Sequence, residues 1–581
     1  MCKQAICLYL GLDLSMKVQL VRVFALVCLV FVCVSVCFTP SQQASYAASS
    51  PASDEILLVS IKAPHRQSDR SIFDLGLDLL PSQDGGSFSA LVSPQELARL
   101  RSQGWQVEVD PFQSRLLSDQ RAFFETTNSF SLAQSQRGYR SVRETERYLF
   151  ELASRYPDLV RLEDIGDSWL KEQTQGEKGY DIWAIRLSNR AISGPKPVFL
   201  MVAALHAREI VTSELATRYI DFLLEGYGRS AMATWLLDEY EVVVIPISNP
   251  DGRELVEQGY YQRKNVNNSA GECFGITVNY HNGVDLNRNF AFDWGTITQP
   301  TLSFCSEVFP GQDPASEPET RALQDFIDRL FALSLAADAL GDPQARSGML
   351  ISLHSYANMI LWPWGSSPEP PLHGTALREL GLKMASYNGY LAQQAYQLYP
   401  ISGSLEDWFY ANYGVASFTF EVGPSYGARC SGFFPAYSCL DGELLGSFWP
   451  QNLPAFIYAN QVARAPYQQV YGPTVEKIRI EAGEEEVQIR VWLQSPNTPI
   501  RSAELYIDYA AWQSGLAWPL HPVDGNFDSP YEEAIITLDR SMFDTQRLLL
   551  IRAKNSTWGP VAPFWSTEQA QYSSYLPLVK R

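Results

Sequence analysis

Several side chains suited to metal binding directly follow short apolar segments of the chain. His206 and Glu209 follow the apolar run 198–204, and His354 follows another at 349–353. Imidazole and carboxylate groups are zinc ligands, and three protein ligands leave one position on the metal for water. His206 and Glu209, three residues apart at the start of a predicted helix, would share one helix face. The sequence therefore predicts a catalytic zinc site; a helix-capping cluster is the structural alternative for this pair.

A second carboxylate occupies the same kind of position. Glu421 directly follows the apolar run 417–420, so we expect it at the same sheet edge as the histidines. A carboxylate that lies beside a metal without binding it can take a proton from water and pass it to the leaving amine. Glu421 is therefore predicted to be the catalytic general base. The alternative is a buried glutamate in an ion pair.

Arginine and amide side chains between these segments could bind a carboxylate. Arg288 can form two parallel hydrogen bonds with one, Asn287 can donate a third, and Arg263 is a further candidate. A peptidase needs such a clamp only where its substrate ends. These residues favour cleavage at a C-terminus, and a surface ion pair is the alternative for each arginine.

Four apolar segments are predicted to form the sheet that positions these residues. Each is apolar on both faces, and they span residues 198–204, 242–247, 349–353 and 417–420. Such strands need helices on both sides of the sheet. Ligands of these sheets bind at the carboxyl ends of the strands, where the polar residues occur. The predicted fold is therefore α/β, with a mixed, mostly parallel central sheet and helices on both faces.

Smaller modules are predicted on either side of this catalytic region, which spans residues 139–464. Residues 55–110 contain a strand, a capped helix and a second strand, which indicates a small α+β module. The polar segment 111–138 is predicted to be a linker. The module is either a propeptide or a permanent accessory domain. Short alternating strands predict a β-sandwich at 465–581.

The N-terminal segment has the order of a secretory signal. Lys17 and Arg22 precede an apolar run at 23–38, and small and polar residues follow at 40–50. We expect residues 1–48 to be removed and the protein to be secreted, without stable membrane insertion afterwards. An uncleaved anchor is the alternative, although the run is short for a bilayer span.

Charge and cysteine content bear on partners and compartment. A formal charge of -19 and a pI near 4.9 argue against binding to nucleic acid. Five of the nine cysteines fall within the predicted signal. For the other four, proximity in the sequence favours the disulfides Cys273–Cys305 and Cys430–Cys439 over the crossed pairings. Free thiols are the alternative.

Six motifs occur in the order found in one enzyme family. They are His206-x-x-Glu209, Asn249-Pro250-Asp251-Gly252, Asp285-x-Asn287-Arg288-Asn289-Phe290, Ser316-Glu317-Pro318-Glu319, His354-Ser355-Tyr356 and Phe418-Thr419-Phe420-Glu421. Over residues 139–460 the chain thus resembles the pancreatic-type zinc metallocarboxypeptidases, most of all secreted bacterial members such as carboxypeptidase T. The resemblance does not cover the two flanking modules.

For the metal centre, the resemblance implies one role per matching residue. His206, Glu209 and His354 would bind a single Zn²⁺ ion. Glu421 would act as general base and then as general acid. Asp285 would orient His206 by a hydrogen bond behind the metal.

For the substrate, the resemblance implies a peptide or protein with a free C-terminus. Arg263 would stabilise the oxyanion. Asn287, Arg288 and Tyr399 would hold the terminal carboxylate, and Arg208 would line a subsite further along the peptide. A family disulfide also flanks the Asn-Arg motif, as Cys273–Cys305 would.

Substrate preference depends on Glu406, which matches the selector at the base of the family's side-chain pocket. A carboxylate there attracts Lys or Arg at the substrate's C-terminus, so we expect a basic or mixed preference. The family's acidic members usually carry the shorter Asp, and a Glu turned to solvent is the alternative. A murein-peptide hydrolase and a catalytically silent binding protein of this fold are the other functions considered. The intact clamp argues against the former, and the complete ligand set argues against the latter.

Overall fold

The computed structural model describes most of the chain after residue 55. The described residues are 56–62, 72, 75–80, 88–115, 117–119, 138–273, 282–338, 346–424, 430–442, 447–496, 498–513, 515–567 and 572–573. The predicted signal, 1–48, and much of the predicted linker, 111–138, lie outside them. No helix among these residues is long and apolar enough to cross a membrane.

The N-terminal module is a four-stranded antiparallel sheet with one helix. Its elements are β1 (Leu57–Lys62), β2 (Asp78–Leu80), β3 (Phe88–Val92), helix α1 (Pro94–Ser102) and β4 (Gln106–Val109). The strand order is β2-β3-β1-β4. Ser93 and Glu96 cap α1 reciprocally, as the sequence predicted. Strands β2 and β3 were not predicted, because β2 is only three residues long and shows no periodicity of its own.

The central sheet has eight strands in the order β11-β10-β12-β9-β7-β8-β6-β5. They are β5 (Val160–Asp167), β6 (Asp181–Leu187), β7 (Val198–Ala203), β8 (Glu241–Ile245), β9 (Met349–His354), β10 (Met359–Trp362), β11 (Leu391–Gln394) and β12 (Ala416–Glu421). Strands β12, β9, β7 and β8 run parallel to one another at the centre. At one side of the sheet, β10 and β11 are parallel to each other and antiparallel to β12. At the other side, β6 runs antiparallel to β8, and β5 runs antiparallel to β6.

Helices cover both faces of this sheet. They are α2 (Val142–Arg155), α3 (Trp169–Gln173), α4 (Ile210–Gly226), α5 (Ala231–Glu239), α6 (Pro250–Glu257), α7 (Pro318–Asp338), α8 (Gly374–Asn388), α9 (Leu405–Tyr413), α10 (Phe448–Val462) and α11 (Pro466–Gln469). Alternate residues of β7 pack on opposite faces: Phe199 and Met201 join the core beneath α4 and α10, whereas Leu200 and Val202 join the core beneath α7 and α9. The two-sided burial explains why the strand is apolar throughout. The predicted α/β fold class is confirmed.

The C-terminal region consists of two antiparallel sheets around a shared apolar core. Its strands are β13 (Thr474–Ala482), β14 (Glu486–Gln494), β15 (Ser502–Ile507), β16 (Trp518–Pro519), β17 (His521–Pro522), β18 (Tyr531–Asp539), β19 (Leu548–Lys554), β20 (Ala562–Trp565) and β21 (Tyr572–Ser573). One sheet has the order β17-β18-β14-β13-β21 and the other β16-β15-β19-β20. Inward residues of β14 alternate with more exposed ones, as in a sandwich.

Candidate active site

The predicted site residues meet at the carboxyl edge of the central parallel strands. His354 is the last residue of β9 and pairs in register with Glu421, the last residue of β12. On the other side of β9, Leu353 pairs with Ala203 at the end of β7. The turn that carries His206 and Glu209 begins directly after Ala203. Strand register therefore brings three segments that are far apart in sequence to one edge.

The segment from His206 to Glu209 is a turn and not the first turn of a helix, which differs from the sequence-based expectation. Helix α4 begins at Ile210, and Glu209 is its N-cap residue. Ala204 has a positive φ of 52°, so the chain bends directly after β7. The Ala207 amide then donates to the Arg263 carbonyl oxygen at 3.0 Å. The two side chains thus converge through a bend in the backbone and not through helical spacing.

Three donor groups converge at this turn. His206 Nδ1 lies 2.8 Å from Glu209 Oε1, and His354 Nδ1 lies 3.1 Å from both His206 Nδ1 and Glu209 Oε2. All three side chains are buried, and each offers a ligand atom within 4.8 Å of the others. Zinc binds imidazole nitrogen and carboxylate oxygen at about 2.0–2.2 Å, so neighbouring ligand atoms lie about 3 Å apart. The chemistry and spacing of this donor set fit a zinc ion.

Asp285 connects this centre to Arg263. Its Oδ1 lies 3.2 Å from His206 Nε2, and its Oδ2 accepts hydrogen bonds from Arg263 Nε at 3.1 Å and Nη2 at 2.9 Å. Burial opposes ionisation, but the charges of Arg263 and Arg288 hold the pKa of Asp285 well below its usual value. The carboxylate thus stays ionised while fully buried. It fixes the His206 ring with Nδ1 directed at the other ligands and fixes Arg263 beside them.

Glu421 lies beside the donor set without being part of it. Its side chain lines the same pocket as His206, Glu209 and His354. Burial raises the pKa of Glu421 to about 7, against the opposing effect of His354. A carboxyl group with a pKa near neutrality can both accept and return a proton.

The predicted carboxylate clamp lines the same pocket. Arg288 is buried and donates from Nη1 to the Asn287 carbonyl oxygen at 2.7 Å. Asn287 accepts from the Leu405 amide through Oδ1 at 2.9 Å, which leaves its Nδ2 as the donor group, 3.5 Å from His354 Nε2. Tyr399 is also in the lining and packs against the apolar core of the N-terminal module. The structure therefore brings all three clamp residues together.

Glu406 is buried in the wall of this pocket, in the first turn of α9. Its Oε1 is 3.7 Å from His354 Nε2, and among the described residues it has no hydrogen-bond partner. A buried carboxylate oxygen with no donor is costly. The side chain is turned inward and not to solvent, which excludes that alternative.

Asp78, from the N-terminal module, lies in the pocket and was not predicted as a site residue. It forms an ion pair with Arg208 Nη2, and its Oδ1 lies 3.3 Å from Arg263 Nη1. The only signal in the sequence is one acidic residue within the apolar run 75–80, which is too common to be diagnostic. About 60 Å³ of the pocket stays open, which is room for a few water molecules.

Both predicted disulfides are present in the structure. Cys273 is bonded to Cys305, and Cys430 is bonded to Cys439. This is the pairing that sequence proximity favoured. The first bond ties together the segments on either side of the Asp285–Arg288 motif.

This fold and this pocket define a class of protein, the metal-dependent hydrolases built on a mixed α/β sheet. Comparison with known proteins gives the family. The family model described as zinc carboxypeptidase matches residues 145–443, more than half of the chain. The chain therefore belongs to the zinc carboxypeptidase family, and it is an enzyme of the metallocarboxypeptidase type.

Similar proteins agree with this assignment. A zinc carboxypeptidase of Saccharothrix mutabilis subsp. capreolus is 27% identical over 409 residues, covering 68% of this chain and 87% of that protein. Carboxypeptidase B of Bos taurus is 28% identical over 318 residues, covering 53% of this chain and 69% of that protein. The crystal structure of thrombin activatable fibrinolysis inhibitor has the same fold, with a TM-score of 0.50 and 21% identity. The match covers 71% of this chain and 98% of that chain.

Proposed function

We propose that this chain is a secreted carboxypeptidase that hydrolyses the last peptide bond of peptides and proteins, with Glu421 as general base. The observation that carries the proposal is the convergence of His206, Glu209 and His354 beside Glu421 in a pocket that Arg288 also lines. Such a pocket combines a hydrolytic centre with a receptor for one terminal carboxylate. Purified protein should release the C-terminal residue from blocked dipeptides and should stop doing so when a chelator is added. Failure with every such peptide would leave only a binding role.

In this proposal, His206, Glu209 and His354 hold one zinc ion. When bound, zinc polarises the scissile carbonyl and makes water a stronger nucleophile. Glu421 accepts the proton of the attacking water and delivers it to the leaving amine. Arg263, fixed by Asp285, donates hydrogen bonds to the oxygen on which negative charge develops.

The terminal carboxylate of the substrate would bind at Arg288, Asn287 and Tyr399. The Arg288 guanidinium supplies charge and parallel donors, and Asn287 Nδ2 supplies another. A substrate that ends in an amide in place of a carboxylate should therefore be a poor one. Comparison of peptide acids with matched peptide amides tests this role separately from the chemistry at the metal.

A preference for C-terminal Lys or Arg is proposed from Glu406. Its Oε1 is buried and has no donor among the described residues, so a cationic substrate side chain would provide its missing partner. Dipeptides ending in Arg and Phe should differ in kcat/KM in favour of Arg. Glu406→Gln should reduce that ratio and leave the rate with Phe less affected. Equal rates with both peptides in the unaltered enzyme would indicate mixed specificity.

The N-terminal module, residues 55–110, is proposed to be an inhibitory propeptide. Asp78 contacts Arg208 and Arg263, and Leu79 and Leu80 lie in the pocket lining, so the module occupies space that a peptide needs. Activity should rise after limited proteolysis in the linker, 111–138. Asp78→Ala should raise the activity of the uncleaved chain. Full activity before cleavage would mean that the module is a permanent accessory domain.

Secretion is proposed from the signal-like residues 1–48 together with the two disulfides. Disulfides form and persist in oxidising compartments, and both pairs lie in the catalytic region. Fractionation of producing cells should recover the protein outside the cytoplasm, with an N-terminus beyond residue 48. Recovery of a reduced protein from the cytoplasm would contradict the proposal.

A further inference from the structure

Arg208 is a buried cation that packs over two aromatic rings beside the pocket. It is 2% exposed, and its guanidinium lies 4.2 Å from the centre of the Phe433 ring and 5.1 Å from that of Tyr261. Contacts of this kind fix the plane of a guanidinium and stabilise its charge. They leave its N–H groups to partners at its edge. The side chain is thus preorganised to bind something that accepts hydrogen bonds.

The nearest partner at that edge is the Asp78 carboxylate, which also contacts Arg263. Asp78 Oδ2 accepts from Arg208 Nη2, while Oδ1 lies 3.3 Å from Arg263 Nη1. Glu307 Oε2 is 3.6 Å from Arg208 Nη1, beyond hydrogen-bonding distance. Among the described residues, Arg208 Nε is buried and has no hydrogen-bond partner. The site therefore has donors beyond those that the catalytic region itself satisfies.

The Asp78 carboxylate lies where part of a bound peptide would pass. In the proposed function, the terminal carboxylate binds at Arg288 and the scissile carbonyl faces Arg263. The rest of the peptide must then leave the clamp on the far side of Arg263. Asp78 touches Arg263 and Arg208 with the two oxygens of one carboxylate, so a single residue spans both arginines. A substrate side chain from this part of the peptide would reach Arg208.

We propose that Arg208, together with Arg263, forms an anion subsite that selects peptides with Asp or Glu in the two residues before the scissile bond. Asp78 occupies this subsite from within the chain. The inference rests on the proposed carboxypeptidase function and adds a substrate class to it. A carboxylate forms charge-assisted hydrogen bonds with the buried guanidinium, whereas a neutral side chain leaves Glu307, at 3.6 Å and beyond hydrogen-bonding distance, to balance that charge.

The subsite itself can be tested in the full-length, zinc-loaded chain without measuring activity. Asp78→Ala removes the internal carboxylate, and acetate supplies one. Acetate should raise the unfolding temperature of Asp78→Ala by about 2 °C more than that of the wild type when it is well above its dissociation constant. Acetamide, which has the same shape without the charge, should give no such difference. Equal acetate shifts in both proteins would overturn the anion subsite.

Arg208 is tied to this effect by matched variants. Adding Arg208→Gln to Asp78→Ala should abolish the extra acetate shift. Arg186→Gln removes a cation of the same kind that pairs with Glu163 and Glu241 away from the pocket, and it should leave the shift intact. Loss of the shift in both double variants would assign it to general charge effects and would contradict the proposal.

Substrate preference is tested on the zinc-loaded chain after limited proteolysis of its linker. Blocked tripeptides with the same C-terminal residue carry either Glu or Gln, at the first or at the second position before the scissile bond. At one position or both, kcat/KM should be about tenfold higher with Glu. Arg208→Lys should keep part of that ratio, Arg208→Gln should remove it, and Arg186→Gln should retain it.

The outcomes separate the two proposals. Hydrolysis of the Glu and Gln peptides at equal rates would overturn the acidic preference and leave the carboxypeptidase function standing. No hydrolysis of any peptide, with the acetate effect intact, would overturn the proposed function and leave an anion site without its substrate. A Glu preference that survives in Arg208→Gln would place the selecting cation elsewhere.

Discussion

Single residues at this site contact two neighbours at once, and Asp285, buried behind the pocket, is the clearest case. One of its oxygens contacts the His206 ring, and the other accepts two hydrogen bonds from Arg263. A fully buried carboxylate is tolerated there because one oxygen lies against the His206 ring and the other accepts from the Arg263 cation. The orientation of a metal ligand and that of the proposed oxyanion donor are thus coupled through one side chain.

Asp285→Asn should disturb the orientation of both His206 and Arg263. The amide cannot accept from His206 and from Arg263 with equal strength, so we expect zinc affinity to fall about 10–100-fold. Competition with a chromophoric chelator measures that affinity without reference to activity. Asp158→Asn, an exposed change on the loop after α2, is the matched control. Unchanged zinc affinity in Asp285→Asn would show that the histidine is held by other contacts.

Glu421→Gln separates metal binding from proton transfer. Glutamine has nearly the same shape and cannot take a proton, so kcat should fall by about 10²–10⁴-fold. Zinc content should stay the same, because Glu421 is not one of the three converging donors. Glu225→Gln, an exposed change on α4, controls for loss of a charge. Activity within a few fold of the wild type would remove Glu421 from the proposed mechanism.

Strand register and turns determine where the side chains of the site lie. The meeting of His354 and Glu421 was predictable because each stands at the carboxyl end of an apolar strand, and parallel strands end at one edge. The local geometry of His206 was not predictable. Its position depends on a bend at Ala204 and on a hydrogen bond to Arg263, more than 50 residues away.

Long-range contacts explain what the sequence did not reveal. Asp78 meets Arg208 across 130 residues of chain, and no periodicity in β2 marks it. The burial of the Glu406 side chain is also a long-range property. The match to a family position favoured it, and the sequence left a solvent-facing side chain as the alternative. Local sequence patterns predict helices, strands and helix caps. A contact between two modules, such as that of Asp78 with Arg208, depends on the surfaces of both modules and leaves no local pattern.

Gly403 positions α9 against the clamp, and a side chain there should disturb both. Its φ is 71°, and a Cβ atom would lie 2.2 Å from the Arg288 carbonyl oxygen. Gly403→Ala should therefore raise KM more than it lowers kcat, because it moves Arg288 and the residues that follow. Left-handed backbone alone costs about 1–2 kcal/mol for a residue with a side chain.

Gly389→Ala is the matched control for that cost. Gly389 has a φ of 74° and ends α8, and nothing lies within 4 Å of a Cβ atom there. Thermal unfolding should show a larger loss for Gly403→Ala than for Gly389→Ala, and steady-state kinetics should show a raised KM only in the former. Equal effects on KM would mean that the clamp does not depend on this close approach.

The C-terminal sandwich shares an apolar core with the catalytic region. Tyr506, Leu550 and Val561 of the sandwich belong to the apolar core beneath α4 and α10. Polar contacts accompany them: Trp565 Nε1 donates to the Arg229 carbonyl oxygen at 2.9 Å, and Gln461 Nε2 to that of Val561 at 3.1 Å. Shared burial of this kind favours a common unfolding transition.

Trp512→Ala tests that coupling. Trp512 donates from Nε1 to Glu239 Oε2 at 2.8 Å and lies 3.6 Å from the Arg464 guanidinium, so it joins α5, the end of α10 and the sandwich. Its removal should lower the free energy of unfolding by about 1–3 kcal/mol and lower the temperature of a single unfolding transition. Leu516→Ala, an 83% exposed change on the same loop, should have little effect. Two separate transitions in calorimetry, with only the later part of the chain affected, would show that the sandwich unfolds on its own.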